Sequence, residues 1–479
     1  MSRLLGIFGI GTTVIVLAQI AVQTTPEQPL VILAGLLGAF AILRYPFAGL
    51  FLSIMLVQLS ALVDRFAGNE WALEGLVLLT FAGTILQIHT IPGKLQPLFR
   101  SKVFQMGALF LFVAGISALF ADYPEEAAPS LFMLTSLLAL MCLILIHART
   151  PELARYLLLA VIISTFISAS FAVIGHIFGH VPFGLDTSGV RGQSGTSTAG
   201  TTTSSIMMLI GTASAAMLAL LSPKWRLFFS ISAVTGCSGI IFTFSRTASA
   251  LVAFACGWLA IKFRKARHFP AVLIIGVMLG ISMLPMVPDR LWDRFASIGN
   301  PGTDWTLGRR LGYHMIGVEL LMDNPLLGVG PGNFNPHYKE FEFRWVEGRA
   351  LMTRALHNMY LSVATETGLL GLAFFLFMIV AALAGLNHAR KHAPDPELRQ
   401  LAEAIQLGYV LWLIAAITQP ASTNKYTWIL TGLAGAVALI AHQCADPRVQ
   451  ATASSGTGAE NTLDNTGKTP DLRKNLGYL

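Results

Sequence analysis

The sequence predicts an all-α integral membrane protein, a polytopic helical bundle of about 12–14 transmembrane helices with one large, partly helical loop outside the bilayer. Three observations carry that expectation. Only 12% of the 479 residues are charged, 54% are hydrophobic and the mean hydropathy is +0.65. Soluble domains average roughly 25% charged residues, so this chain cannot clothe a water-facing surface. Uncharged runs such as 103–121 and 270–287 approach the roughly 20 residues that a bilayer-spanning helix requires. Lysine and arginine, finally, gather in alternate connections between those runs. A cytosolic enzyme, a nucleic-acid binder and a disulfide-stapled secreted domain are thereby excluded. The four cysteines, Cys142, Cys237, Cys256 and Cys444, lie in or beside apolar runs without motif spacing and read as small core residues.

In chain order, the apolar stretches give spans at 4–22, 28–43, 46–63, 71–90, 103–121, 129–147, 153–178, 205–222, 226–243, 247–262, 269–287, 358–387, 403–420 and 426–442. The first follows Arg3, but no small-residue cleavage site ends it, so it is expected to stay in the chain. With the N-terminus in the cytoplasm, every second connection is cytoplasmic. Those connections hold sixteen Lys and Arg, among them Arg44, Arg155, Lys262 and Arg390. The short connections on the other side hold four, Arg65, Arg191, Arg246 and Lys425. Such a bias orients membrane proteins, and it accounts for the net charge of +7 and the pI near 9.3 without a binding surface.

The expected organisation follows. N-terminal transmembrane helices fill 1–178, an external loop rich in Gly, Ser and Thr covers 179–204, and further transmembrane helices fill 205–287. A large external loop occupies 288–356, C-terminal transmembrane helices 357–445, and a polar tail, expected to be disordered and cytoplasmic, 446–479. The large loop carries eight basic and eight acidic residues, so it is a mixed, foldable segment. Within it, 306–324 places Leu307, Leu311, Met315 and Val318 at helical spacing after a cap at Asp304 or Thr306, and Pro325 marks the end.

Residues able to do chemistry lie on the external side. The run Pro325-Leu-Leu-Gly-Val-Gly-Pro-Gly-Asn-Phe334, with Gly330 and Asn333, lacks the Gly-Lys-Ser/Thr ending of a phosphate-binding loop. It reads as a tight connection returning to the membrane surface, or as a turn whose amides approach an anion. Arg246 sits between two spans with almost no loop, where it either snorkels to lipid phosphates or binds a ligand. Arg191 is a solvated charge or a ligand contact. Arg309 and Arg310 fall in the first turn of the loop helix, where a bound anion would offset the unfavourable helix dipole. Clustered arginines at one membrane face suit a polyanionic headgroup such as a pyrophosphate. His357 opens the following span with Asn358 beside it, as an interfacial or capping residue or a catalytic one. Glu366, nine residues further on, is costly inside a bilayer unless protonated or paired, and is a functional candidate for that reason. His314 and His337 are distant in sequence, and Glu340 and Glu342 form the one close acidic pair of the loop, so no metal is expected.

Taken in order, these motifs resemble the O-antigen ligase and polymerase superfamily. The resemblance covers roughly 185–375: Arg191-Gly192; Ser245-Arg246-Thr247 at a span boundary; Gly308-Arg309; Asn324-Pro325-Leu326-Leu327-Gly328-Val329-Gly330, then Gly332-Asn333-Phe334; and His357-Asn358 followed by Gly368 and Gly371. It implies transfer of a glycan from an undecaprenyl-pyrophosphate carrier to an acceptor sugar hydroxyl on the periplasmic face of the bacterial inner membrane, with no cofactor and no required metal. The acceptor would be lipid A-core or a growing surface polysaccharide. The resemblance further implies His357 as base or acceptor-orienting group, and Arg191, Arg246 and Arg309 on the pyrophosphate, with Arg310 beside them. Asn358, Glu366, Gly330 and Asn333 are accessory candidates. The competing class is a polytopic transporter or flippase for a lipid-linked or anionic substrate, which would place interrupted helices and ionisable groups near the bilayer midplane.

Overall fold

A computed structural model describes residues 28–67, 72–88, 95–179, 201–266, 305–340 and 355–445. The helices are α1 (Gln28–Arg44), α2 (Pro46–Val57), α3 (Ser60–Ala67), α4 (Ala72–Leu86), α5 (Gln96–Arg100), α6 (Lys102–Leu119), α7 (Pro124–His147) and α8 (Pro151–Phe178). They continue as α9 (Thr201–Leu221), α10 (Arg226–Phe242), α11 (Arg246–Phe263), α12 (Trp305–Asp323), α13 (Phe334–Glu340), α14 (Met359–His392), α15 (Pro396–Ala415) and α16 (Lys425–Ala445). No strand occurs among the described residues.

Eight of these helices are long and apolar enough to cross a membrane, which makes the chain an all-α, multi-pass membrane protein. The count rises to nine if α1 and α2, bent by 115° across Tyr45, form one broken span. The sequence separated those two and joined α2 to α3, because Gln58 and Ser60 do not interrupt an apolar run enough to show as a break. The stretches at 71–90 and 226–243 fold as shorter apolar helices of 15 and 17 residues. The spans expected at 4–22 and 269–287, Arg191, Glu342 and the tail lie outside the described residues.

Prolines begin α2, α7, α8 and α15, where a missing amide costs nothing. One core runs through the bundle, built on fully buried Phe110, Met141, Phe229, Phe375, Trp412 and Trp428. It centres on α14, packed against α6, α16 and α15, and on α9, packed against α10, α15 and α8.

Polar links between helix ends fall into two sets. One joins the start of α4 to the start of α16 through Glu74–Lys425 at 2.8 Å, and the start of α9 to Gln419 through Thr203 at 3.0 Å. The other joins the ends of α4 and α7 through Thr84–His147 at 2.9 Å, the starts of α8 and α15 through Arg155–Glu397 at 3.5 Å, α11 to α15 through Lys262–Glu403, and the ends of α14 and α16 through His388 and His442, stacked at 4.7 Å. These pairings join only helix ends that the alternation of spans assigns to one side. A second, smaller core lies at the first end of the bundle, where α12 and α13 meet the start of α14: Tyr313, Ile316, Leu320, Val329, Phe334, Tyr338 and Leu356.

Candidate active site

The segment between α12 and α13 decides the geometry of that end. α14 is not continuous, because Gly368 adopts φ 68°, ψ −177° and divides it into 359–367 and 369–392. An uninterrupted helix would donate from Leu369 and Leu370 to the carbonyls of Thr365 and Glu366. At the break the glycine-rich run supplies the missing partners. Val329 and Gly330 donate to the Thr365 and Glu366 carbonyls, each at 3.0 Å, while Leu369 and Leu370 donate to Pro325 and Leu326 at 2.8 and 3.4 Å. Two lost helical bonds are thus replaced by four, as a buried backbone requires.

The glycines are needed for that approach. Gly328, Gly330, Gly332 and Gly368 all have φ between 68° and 105°. A Cβ on Gly368 would collide with the Leu326 carbonyl, one on Gly330 with Ala121, and one on Gly332 with Ser130.

This docking makes the run a tight connection, and most of its amides have partners within the protein. Gly328 donates to Asn324, Val329 and Gly330 to α14, and Asn333 to Gly330, while Gly332 and Phe334 donate to the half-buried carboxylate of Glu366. The acceptor in the turn is the protein's own carboxyl group. Glu366 also accepts at its carbonyl from Ser117 Oγ at 2.9 Å, which ties the break to α6.

Asn333 is fully buried and clamps the same turn to the connection between α6 and α7. Its Oδ1 accepts from the Tyr123 amide at 2.9 Å, and its Nδ2 donates to the Tyr123 and Pro331 carbonyls at 3.2 Å. Beside it, His337 lies 3.2 Å from Glu340 and 3.4 Å from Asp122, edge-on to the Tyr123 ring, and the Tyr123 hydroxyl donates to Glu340. That hydrogen bond, with desolvation behind it, pushes the Tyr123 phenol up to about 12. The same bond, helped by His337 and opposed by desolvation, holds the Glu340 carboxyl below the usual range. No three His, Cys, Asp or Glu among the described residues are spaced to hold a metal ion.

His357 directly precedes Asn358, which caps α14 by accepting from the Tyr360 and Leu361 amides at 3.0 and 3.1 Å. The half-buried imidazole lies 6.0 Å from the ring of Tyr313 on α12. Tyr313 meets Tyr338 at 5.4 Å, and Tyr338 meets Phe334 at 6.1 Å, so a row of rings runs from His357 to the turn that Glu366 holds. Thr365 Oγ1 donates to the Gly317 carbonyl at 2.9 Å and fixes α12 against α14.

α12 departs from expectation in two ways. It starts at Trp305, so Arg309 and Arg310 are its fifth and sixth residues and lie in the second turn, beyond the free amides and the strongest part of the dipole. Leu311, Met315 and Val318, whose spacing marked the helix, form its exposed face, while Tyr313, Ile316 and Leu320 on the opposite face are buried. The helix is apolar on two sides, and its partners on α13 and α14 determine which side packs. Arg310 is half-buried, and Arg309 stands one turn before Tyr313 in sequence.

Arg246 is the first residue of α11, after Ser245, whose hydroxyl caps the Ala248 amide at 3.4 Å. The residue before that cap, Phe244, is buried at φ 55°, the one positive φ outside glycine among the described residues, and its ring meets His176 edge-on at 6.4 Å. A bulky residue in that region costs roughly 1–3 kcal/mol and persists where the surroundings impose it. Half-buried Arg246 is therefore delivered by a rigid, strained turn, which snorkelling to lipid does not require.

The structure joins His357, Asn358, Glu366, Gly330 and Asn333 in one unit that includes α12, the helix of Arg309 and Arg310. Arg246 starts a helix packed against α9, α10 and α15. The sequence did not single out Tyr313, Tyr338, Tyr123 or Ser117. The Glu-x-Gly at 366–368 inside an apolar run was the available signal for the break.

Fold and site together define a multi-pass membrane protein that carries a polar, histidine-bearing segment docked on one end of its bundle. The family model for O-antigen ligase matches residues 231–376, from α10 through the break in α14, and supports placing the chain in the O-antigen ligase and polymerase superfamily. The match, which covers less than half of the chain, supports activity of the ligase or polymerase type in general terms. No curated protein matches the chain.

Proposed function

We propose that this protein transfers a glycan from undecaprenyl-pyrophosphate to an acceptor sugar hydroxyl, as an O-antigen ligase or surface polysaccharide polymerase. In this reading it lies in the bacterial inner membrane with both termini cytoplasmic, and the end of the bundle that carries His357 faces the periplasm. The excess of Lys and Arg at the opposite end supports that orientation. The observation that carries the reading is His357, placed by the Asn358 cap and the Tyr313 ring at the mouth of α14 within the family-matched stretch.

His357 takes the proton of the attacking hydroxyl, which forms the new bond at the anomeric carbon as the bond to the carrier's diphosphate breaks. Arg246, Arg309, Arg310 and Arg191 hold the diphosphate, whose negative charge grows as it leaves. A positioned base contributes typically about 10²–10⁴ in rate, and one preorganised donor about 3–4 kcal/mol. A single displacement inverts the anomeric carbon. No cofactor or metal takes part in the proposed step.

The interrupted α14 is what a transporter would offer. Its position argues otherwise. Residues 369–387, about 28 Å at roughly 1.5 Å per residue, come close to the hydrocarbon thickness after the break. Glu366 then lies at the membrane boundary rather than at mid-depth.

The test is an assay with purified protein, lipid-pyrophosphate glycan, and lipid A-core, polysaccharide or peptide acceptors, whose product names the acceptor. His357→Ala is expected to abolish transfer and leave membrane insertion intact, and EDTA to leave wild-type transfer unchanged. Full transfer by His357→Ala would remove the proposed base.

A further inference from the structure

We propose that Glu366 is a positioning residue for His357, acting through the turn its carboxylate holds and the ring row Phe334–Tyr338–Tyr313. The proposal takes His357 as the reacting imidazole from the reading above.

The carboxylate accepts from the Gly332 and Phe334 amides, and Phe334 begins α13. Glu366 therefore fixes where α13 starts. The Phe334 ring touches Tyr338 one turn later, Tyr338 stands edge-on to Tyr313 at 78°, and Tyr313 lies against His357. Phe334, Tyr338 and Tyr313 are almost fully buried, so displacement at one end has little free volume to dissipate into. Glu366 and His357 also bracket the short helix 359–367, whose Thr365 is tied to Gly317. An amide at 366 keeps one acceptor oxygen where the carboxyl group has two, so one of the two amides of the turn loses its partner. An apolar residue leaves the two amides of the turn without their acceptor.

Two readouts on the full-length protein in detergent test this. The first is the rate at which diethyl pyrocarbonate modifies His357, mapped by mass spectrometry with no glycan present. In Glu366→Ala and Glu366→Gln that rate is expected to rise about twofold or more as the ring loosens, and added formate is expected to bring the Glu366→Ala rate back. The second is transfer. Its kcat is expected to fall about 10- to 100-fold, the loss that accompanies misplacing a reacting group by about 1 Å, with the donor KM little changed and formate again restoring Glu366→Ala. Wild-type reactivity and kcat in both variants would overturn the proposal. So would a loosened His357 that formate does not reset, or a Glu366→Gln protein that fails to fold, because the carboxylate would then hold the bundle and not the ring. The chemical readout needs no transfer reaction. If the wild type transfers no glycan while His357 responds as described, the glycosyltransferase reading fails, and what stands is that Glu366 positions the His357 ring.

Discussion

At the scale of single residues, the arginine and the acid-tyrosine pair outside the membrane make separable predictions. Arg246 stands two residues after a buried, strained Phe244, and strain of that kind gathers at functional sites, so the guanidinium is expected to act at a fixed place with its planar fork intact. Arg246→Lys keeps the charge and loses the fork. Transfer is expected to fall about tenfold or more with membrane insertion unchanged, whereas wild-type transfer would leave simple snorkelling as the account. The Tyr123–Glu340 bond makes a pH prediction whose sign follows from both partners. Glu340 is depressed in the folded chain, so its contribution is present above the ordinary carboxylate range and lost as pH falls through the depressed value. Tyr123 is raised to about 12, so its contribution is present below the ordinary phenol value near 10 and lost as pH rises through about 12. Both groups are largely solvent-screened, so the effect is small. Thermal midpoints of Tyr123→Phe and wild type, compared across pH, are expected to differ modestly from neutral pH to about 10 and to converge in acid. A difference that persists unchanged at low pH would assign it to packing of the ring.

At the scale of elements, the break in α14 explains the sequence of the turn that fills it. Gly368→Ala costs on the order of 1–3 kcal/mol for its backbone conformation alone, and its methyl would strike the Leu326 carbonyl and drive the two segments apart. The variant is expected to lose transfer and to unfold at lower temperature in detergent. Gly257→Ala, at an open helical position where an added methyl meets no neighbour, should do neither. Equal stability of the two variants would mean that the docked turn is not what holds α14. The helices of the bundle were legible, since runs such as 103–121 and 153–178 need only their own hydrophobicity to be recognised. The break was not, because 359–392 reads as one apolar helix and its interruption depends on partners about forty residues earlier in the chain. His357, Asn358 and Glu366 were legible as polar residues at the start of a span. The role of Asn333 was not, since its partner Tyr123 stands 210 positions away and no local pattern points to it. Arg309 and Arg310 fall just beyond the first turn because the helix starts at Trp305, as a cap at Asp304 rather than Thr306 would have it, and helix ends are set by such small differences.

At the scale of the whole molecule, the matched segment 231–376 does not contain its own support. The glycine-rich turn rests on Ala121 and Ser130, Asn333 is bonded to Tyr123, Glu366 to Ser117, and α14 packs along α6. All of these partners belong to α6, α7 and the connection between them, which precede the match, and hydrophobicity was the main visible feature of those helices in the sequence. They form the floor on which the reactive segment is placed. Cutting the chain in the connection between α7 and α8, near Ala148, leaves that floor on one fragment and the segment on the other. The fragment 149–479 alone is expected to insert but transfer nothing, because Asn333 lacks its Tyr123 partners and the break in α14 loses Ser117 and one wall. Co-expressed with 1–148, it is expected to regain transfer and to co-purify with it, since the α6–α14 and α7–α16 interfaces are large and apolar. Asn333→Ala should weaken that reassembly. It leaves the part-buried Tyr123 amide without its acceptor, at about 1–3 kcal/mol for an unsatisfied group, while the Tyr123 carbonyl keeps the Glu126 and Ala127 amides. Co-purification and transfer yield across the three pairings measure this directly. Transfer by 149–479 alone would show that the site is self-sufficient, and the first helices would then serve the membrane rather than the chemistry.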